Sequence, residues 1–395
     1  MPAYGESSQL EYDVAVIGGG IAGVAAALAA ARSGVKTCLI EKNCLLGGLA
    51  TLGNVVIYLP ICDGEGHQVI GGLGEELLRL AVADGYESIP ESWKTPHSTQ
   101  DRSMERYKVR FNAQSYMLAL EAILLDAGVE IWYDTVFTDV ITNSELIQKI
   151  VVQNKSGRLE IEAKMVVDAT GDADVCYASG EDTVELDTNV RSNWFFYTDD
   201  KGVHLAVLSD GFTDDGLPAE SSNRGYSGVV GADVSAHVID SHQLLQDRFA
   251  EIKEKTPEAT LVNIPGMPSF RMTRRLQGEV VLSEEWSGIV PDDLVGLCPS
   301  WRKGGVVYGI PFRSLHATRM KNLMAAGRCI SASGRLWDMT RVIPVCALTG
   351  EIAGTAAALV VNSKTENIHT LAIEELRQQL LAQQNILDGS LIRGV

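Results

Sequence analysis

Residues 12–41 constrain this chain more than any other stretch. Tyr12–Ile17 reads as a short apolar strand, Gly18-Gly19-Gly20-Ile21-Ala22-Gly23 follows, and an Ala-rich helix runs to about Ser33, where Gly34 stops it. Val35–Ile40 is a second apolar strand ending in Glu41. This is a complete strand–helix–strand unit with a glycine pattern at its first turn. Gly18 permits the tight turn, Gly20 lets a pyrophosphate approach the backbone, and Gly23 lets helix and strand pack closely. The helix N-terminus presents about half an elementary positive charge to the phosphates. Glu41 stands where a carboxylate takes the ribose hydroxyls. A GxGxxG alone is weak, but here it follows a strand, opens a helix and has the acid at the right distance, so it specifies a dinucleotide site.

Two more glycine-rich stretches choose between dinucleotides. Val166–Ala169 is an apolar strand running into Thr170-Gly171-Asp172. Leu323-Met324-Ala325-Ala326-Gly327-Arg328 leads into Arg341-Val342-Ile343-Pro344 and a helix carrying Gly350 and Gly354. The three stretches, in this order, point to FAD held non-covalently in a discontinuous Rossmann-type domain. Pro344 suits a first helical turn. That helix N-terminus, aimed at the flavin pyrimidine edge, would favour the anion formed there on reduction by up to ~2 kcal/mol, roughly 40 mV for a two-electron couple.

The rest of the chain sets the architecture. Its 395 residues suit two intimately connected domains. The fold class expected is α/β: a Rossmann-type FAD-binding domain with a β-meander, plus a mixed α+β substrate domain inserted in the chain. We place the FAD-binding part at 10–60, 105–181 and 309–363, and the substrate or cap part at 61–104 and 182–308. A C-terminal helix falls in 368–395, where Ile373, Leu376 and Leu380 recur at helical spacing. Glu75–Ala83 reads as a short helix, and residues 84–108, with Pro90 and Pro96, as a surface excursion. Asn112 starts a helix that Gly128 stops, and Val129–Tyr133 is a strand. Val136–Ile141, Ile147–Gln153 and Arg158–Ala163 alternate as a meander, with Met165–Ala169 as a separate buried strand. A longer helix spans about Asp233–Lys255.

Charge and cysteine usage exclude several functions. Thirty-three basic against 51 acidic residues give a net charge of −18, which argues against nucleic-acid and anionic-membrane partners. The longest apolar run, Ile21–Ala31, is broken by Gly23 and too short to span a bilayer, and Met1–Glu11 has no secretory pattern, so the cytoplasm is expected. The seven cysteines form no CxxC, which leaves iron–sulfur ligation unsupported. His237 and His242 lie five apart on the expected helix, a poor metal spacing, and no metal is expected.

Further short motifs carry a resemblance. They are Gly47-Gly48 with Ala50-Thr51, Val69-Ile70-Gly71-Gly72, Arg110-Phe111-Asn112, Asp168–Asp174, Arg271-x-x-Arg274-Arg275-x-x-Gly278-Glu279, Ile310–Leu315, Asn322–Ser331 and Arg341–Gly354. With these the chain resembles, over nearly its whole length, the FAD-dependent oxidoreductase family related to the flavin part of heterodisulfide reductase. The succinate dehydrogenase and thiazole synthase flavoproteins are more distant. The resemblance implies a glutathione-reductase-type fold with FAD held extended. Gly18, Gly20, Gly23, Glu41, Gly48, Gly171, Gly327 and Arg341 then inherit cofactor contacts, with Lys42, Ala50, Thr51, Ala169, Thr170 and Val342 beside them. No second GxGxxG unit follows, so NAD(P)H would visit the flavin transiently, or another donor or acceptor serves.

The chemistry expected is hydride transfer between FAD and a small organic substrate. Arg271, Arg274 and Arg275 form the densest cationic cluster. Arg271 and Arg274 are the candidates for an anion clamp or a partner for reduced flavin, on the premise that a helical turn places both on one side. Trp337 and Asp338, in the stretch Arg335–Arg341 read as a loop facing the flavin, are the other substrate-side candidates. Relatives often carry a histidine and a small residue in that loop, where this chain has Gly334 and Leu336; Trp301-Arg302 departs from them similarly. Cys44 reads as a passive loop cysteine and His316 as a core or surface histidine. The alternatives are a flavin electron-transfer subunit of a larger complex, or a thiazole-synthase-like enzyme that consumes a nucleotide. A hydroxylase is disfavoured, because Ala326-Gly327-Arg328 stands where such enzymes carry Gly-Asp. Oligomeric state, a homo-oligomer included, stays open.

Overall fold

The first apolar run becomes β1 (Leu10–Ile17), with Val14–Ile17 shut away from solvent, and the glycine turn opens into α1 (Ile21–Arg32). β2 (Thr37–Ile40) lies parallel to β1, from Val14↔Thr37 to Ile17↔Ile40. The computed structural model describes residues 10–94, 106–213, 217–219 and 224–394. The reading of residues 1–9, and part of that of 84–108, therefore lie outside the described residues.

Short elements follow: β3 (Ile57–Tyr58), α2 (Gly72–Val82), α3 (Glu91–Lys94) and β4 (Val109–Arg110). Residues 84–108 were expected as a surface excursion, yet Trp93 and Tyr107 are buried, with ring centroids 5.6 Å apart. The prolines and polar residues there mask two aromatic anchors. α4 (Ala113–Asp126) begins at Asn112, whose side-chain oxygen accepts from the Gln114 N–H at 3.0 Å. β5 (Glu130–Trp132) then pairs with β2.

β6 (Val136–Asn143), β7 (Leu146–Asn154) and β8 (Gly157–Asp168) make the meander. The two strands expected at 158–163 and 165–169 are one. Lys164 breaks the apolar run in the sequence, but its ammonium simply reaches Asp13 on the neighbouring strand at 2.6 Å. β8 changes partners along its length. Its first half pairs antiparallel with β7, whereas Ile161–Asp168 runs parallel to β1 and Val166–Asp168 parallel to β16 (Leu323–Ala325). The sheet order is thus β5-β2-β1-β8-β7-β6, with β16 also on β8.

Between β8 and β16 lie α5 (Asp174–Ala178), β9 (Thr183–Glu185), β10 (Ser192–Asp199), β11 (Gly202–Ser209), α6 (Gly231–Lys255), β12 (Thr260–Asn263), β13 (Arg274–Leu276), β14 (Leu294–Pro299) and β15 (Val307–Pro311). β11, β10 and β12 form a separate antiparallel sheet that packs on α6 through Phe195 and Phe249, whose rings meet edge to face at 6.2 Å. After β16 come α7 (Gly334–Thr340), α8 (Ile343–Asn362) and α9 (Ile373–Ala382). The expected loop Arg335–Arg341 is therefore mostly helix, because Leu336–Thr340 is buried and a buried backbone must satisfy its own polar groups. In the tail the α-helix occupies only Ile373–Ala382, seated by buried Leu376 and Leu380.

α1 and α8 are buried nearly all round and cross at backbone contact. A Cβ on Gly350 would stand 2.1 Å from the Ala22 carbonyl oxygen, and one on Gly354 2.1 Å from that of Ala26. By length and composition α8 is apolar enough to cross a membrane, but here its glycine face is covered by α1. Glu351 sits between these two glycines, 2% exposed, and accepts the Leu73 N–H at 2.8 Å. Burial pushes its pKa up to about 7.

Two outcomes follow from this packing. Gly354→Ala costs roughly 2–3 kcal/mol in spite of alanine's better helix propensity, read as a lower urea midpoint; an unchanged midpoint would mean the helices do not touch there. Glu351 binds its proton more tightly in the folded chain than unfolded, so wild-type stability falls as pH rises from about 4.5 to about 7 and then levels. Glu351→Gln keeps an acceptor for Leu73 and removes that slope, on the order of 3 kcal/mol. A mutant with the wild-type slope between pH 5 and 7 contradicts the assignment.

Candidate functional site

β1, β8 and β16 are adjacent and parallel, so the loops leaving their C-terminal ends emerge together. Hydrogen bonds carry the ladder past the strand ends: the Ala169 N–H donates to Ile17 O at 2.9 Å and the Ala326 N–H to Asp168 O at 2.9 Å. The three glycine-rich stretches of the sequence thereby line one open groove of about 1270 Å³, counted out to solvent. A fourth loop joins them, because the Gly47 N–H donates to Gly19 O at 2.8 Å and lays Gly47–Ala50 along the rim.

The glycines divide by what surrounds them. Gly18 has φ +103°, and a Cβ there would meet Ala169 O at 2.4 Å; one on Gly23 would meet Gly18 O at 1.8 Å. Both are demanded by packing. Gly20 has nothing within 4 Å of its Cβ position and faces the open groove. The first N–H groups of α1, which have no intrahelical acceptor, open onto the same space. A cradle of this kind fits a pyrophosphate. Glu41 is held at one end: its Oε2 accepts the Gly19 N–H at 2.7 Å, and its Oε1 accepts the Asn43 N–H and side-chain amide, each at 2.7 Å. Thr135, Val136 and Phe137 complete that end. At the other end Arg341, Ile343 and Cys346 bring the start of α8 to the groove. The Cys346 thiol bonds to Arg341 O at 3.1 Å, and burial pushes its pKa up to about 12.

Of the expected cofactor residues, Gly18, Gly20, Glu41, Lys42, Gly48, Ala50, Ala169, Thr170, Gly171 and Arg341 line the groove. Gly23, Thr51, Gly327 and Val342 lie behind its lining. Thr51 ties its loop by donating to Leu46 O at 2.6 Å, Val342 is the N-cap of α8, and a Cβ on Gly327 would stand 2.7 Å from that of Ala22.

The expected substrate-side residues separate. Arg271 lines the groove. Arg274 does not: it is buried, paired with Asp174 at 2.6 Å and Glu185 at 3.3 Å, and donates to Asp172 O at 2.8 Å. The helical premise fails, since Arg274 lies on β13, paired with β9, and Arg271 precedes that strand outside any helix. Trp337 and Asp338 are each 1% exposed and sit behind the groove. The Trp337 indole donates to Arg328 O at 2.9 Å, and Asp338 binds the Arg302 Nε at 2.8 Å and the Arg341 Nε at 3.1 Å. Helix α7 buries the face that a loop would have exposed. His316 is buried, its Nδ1 3.0 Å from Ala317 O, and Cys44 is exposed.

Arg328 escaped the sequence reading as a site residue. Its guanidinium donates to Gly171 O at 2.5 Å, Phe270 O at 2.6 Å and Asp172 Oδ1 at 2.8 Å, bonding the second and third glycine stretches to the far wall. Its place directly after Gly327 was the available signal. Met267 and Phe270, which form that wall with Arg271, carry no motif at all.

Comparison with known proteins follows the same lines. The family model described as FAD dependent oxidoreductase matches residues 13–192 and 296–380. The chain is 38% identical over 84 residues to thioredoxin reductase of Ureaplasma parvum, covering 21% of this chain and 27% of that protein. It is 26% identical over 163 residues to digeranylgeranylglycerophospholipid reductase of Picrophilus torridus, covering 41% and 40% respectively. It is also 28% identical over 199 residues to thiamine thiazole synthase of Methanococcus vannielii, covering 47% and 67%. The chain thus spans less than half the length of the first two relatives. A geranylgeranyl bacteriochlorophyll reductase-like structure from Thermoplasma acidophilum shares the fold, with TM-score 0.50 and 15% identity over 96% of this chain and 85% of that one. The family match takes in well over half of the chain, and its two segments carry all three glycine stretches: the protein belongs to the FAD-dependent oxidoreductase family, and its cofactor is FAD.

Proposed function

We propose that the protein holds FAD non-covalently, extended along the groove, and works as a dehydrogenase or reductase moving hydride between that cofactor and a small organic substrate. The observation carrying this reading is the continuity of the groove wall from Glu41, past Gly20, to Arg341 and Ile343. Bound FAD supplies the two-electron chemistry. The chain's own residues bind and orient. Glu41 takes ribose hydroxyls, Gly20 and the start of α1 take the pyrophosphate, and the start of α8 meets the flavin ring. Among the described residues no histidine or tyrosine lines the groove, and the Cys346 thiol is tied to a carbonyl, which supports non-covalent attachment.

In this reading residues 10–60, 105–181 and 309–363 hold the cofactor, and 61–104 with 182–308 form the cap. The cap brings Met267, Phe270 and Arg271 to the groove. Arg328, Trp337 and Asp338 are positioning residues behind it, and Arg274 ties β13 to the loop after β8. The redox partner is NAD(P)H visiting transiently or another small donor or acceptor. A cytoplasmic site of action belongs to the same proposal and accords with seven unpaired cysteines. The thiazole synthase similarity, covering 67% of that protein, favours a second reading in which a bound nucleotide is consumed.

Anaerobic titration of the purified yellow protein against a metabolite panel tests the main reading. Bleaching of the flavin bands by one substrate class, with FAD recovered intact, is expected. A colourless protein that cannot be reconstituted with FAD, or a released nucleotide of altered mass, moves the protein to the second reading. Gly20→Ala checks the cradle: it folds as stably as wild type but binds FAD roughly tenfold or more weakly, by calorimetry. Unchanged affinity would remove the pyrophosphate from Gly20.

A further inference from the structure

Arg271 is held from several sides before any ligand arrives. Its backbone N–H donates to Asn189 Oδ1 at 2.9 Å, and the carbonyl of the preceding residue, Phe270, is gripped by Arg328 Nη1 at 2.6 Å. Its guanidinium stacks on Phe212, 3.1 Å from the ring centroid, and Nη2 donates to Ser209 Oγ at 3.3 Å. Against this mechanical order, its charge is unanswered. Among the described residues no carboxylate pairs with it, and Nη1 is buried without a hydrogen-bond acceptor. In a chain of net charge −18 an arginine usually finds an acid. The nearby Asp338 is already engaged by Arg302 and Arg341. Burial and the Arg341 charge push the Arg271 pKa down to about 9, leaving it cationic at neutral pH.

FAD has other partners for its own anionic groups. The start of α1 suits the pyrophosphate, and the start of α8 with Arg341 suits the ring edge. Arg271 belongs to neither helix start: it comes from the segment before β13 and lines the groove with the apolar side chains of Met267 and Phe270. A single guanidinium whose plane is fixed by stacking offers parallel N–H groups that match a carboxylate, whereas a phosphate calls for more donors than this wall carries. We propose that the substrate is a carboxylic acid with an apolar body, whose carboxylate docks on Arg271 while the body lies against Met267 and Phe270. The proposal rests on the FAD-bound reading above. It deepens that reading by naming what the pre-set arginine selects.

The experiment uses the FAD-loaded protein and a panel of aliphatic and aromatic monocarboxylates, each paired with its primary amide, titrated while flavin absorbance is followed. The carboxylates perturb the flavin spectrum saturably and the amides do not. Arg271→Gln keeps FAD at one per chain and weakens carboxylate binding by roughly tenfold or more, and Arg271→Lys, which keeps the charge but loses the planar fork, falls between. Arg377→Gln, on α9, binds as wild type and controls for net charge. Equal binding of acids and amides, or unchanged binding in Arg271→Gln, overturns the proposal. So does loss of FAD from Arg271→Gln with its urea midpoint preserved, which would make the arginine a cofactor ligand. If Arg271→Gln does not fold, Arg271→Lys decides on the same readout. Failure of the wild-type protein to hold FAD is read separately, from its colour, and defeats the functional reading rather than this one.

Discussion

The backbone contact between α1 and α8 is the constraint on which the rest of the site depends. Helices normally stand 8–10 Å apart, with side chains filling the space. Here Gly350 and Gly354 remove those side chains, so that the Ala22 and Ala26 carbonyls come where a Cβ would otherwise sit. The two helices start at opposite ends of the sequence and open on one groove: Gly20–Ala22 lines it from α1, and Ile343 and Cys346 line it from α8. A dinucleotide carries a phosphate bridge and a redox ring. Two N-termini held at a fixed separation match that layout. Sliding one helix along the other would spoil the match, and the buried carbonyls leave no room for sliding.

The second constraint is the partner change within β8. The strand leaves the meander and enters the parallel sheet between β1 and β16, so its terminal loop emerges between theirs. Small polar bonds then fix the loop. Asp168 accepts the Thr170 hydroxyl at 2.7 Å and the Cys176 N–H at 2.9 Å, and the Cys329 sulfur accepts the Gly171 N–H at 3.1 Å. Arg328 extends this network to Phe270 and hence to the wall that carries Arg271. The loop after β8 and the segment carrying Phe270 and Arg271 are thus joined through one guanidinium.

The parts legible in the sequence were those with short-range rules. β1, α1 and β2, the Asn112 cap and the meander hairpins are set by local periodicity and turn chemistry, and they stand close to where the residues place them. That the three glycine stretches would meet in one groove was legible for the same reason, since each ends a strand of one parallel sheet. The misplacements share a different cause. Lys164 hid the continuity of β8, because its role depends on Asp13, more than a hundred residues away. Polar residues hid the burial of Trp93, and Asp338 looked like a loop acid because Arg302 reaches it only through folding, while the helical turn of α7, read as a loop, brings Arg341 onto it. Arg271 and Arg274 look alike in sequence. One is matched by Asp174 and Glu185 and the other by no acid among the described residues, a difference that only the tertiary arrangement creates.

The central claim is that one groove reads both ends of FAD at once. Calorimetric titration of the apo-protein with FAD, FMN and ADP tests it most directly. If, as proposed, Glu41 with α1 holds one end and the start of α8 the other, FAD binds one to one and roughly 100-fold or more tighter than either fragment, the covalent link making the second contact intramolecular. FMN or ADP binding as tightly as FAD would show that one end of the groove does no binding, and would contradict the account.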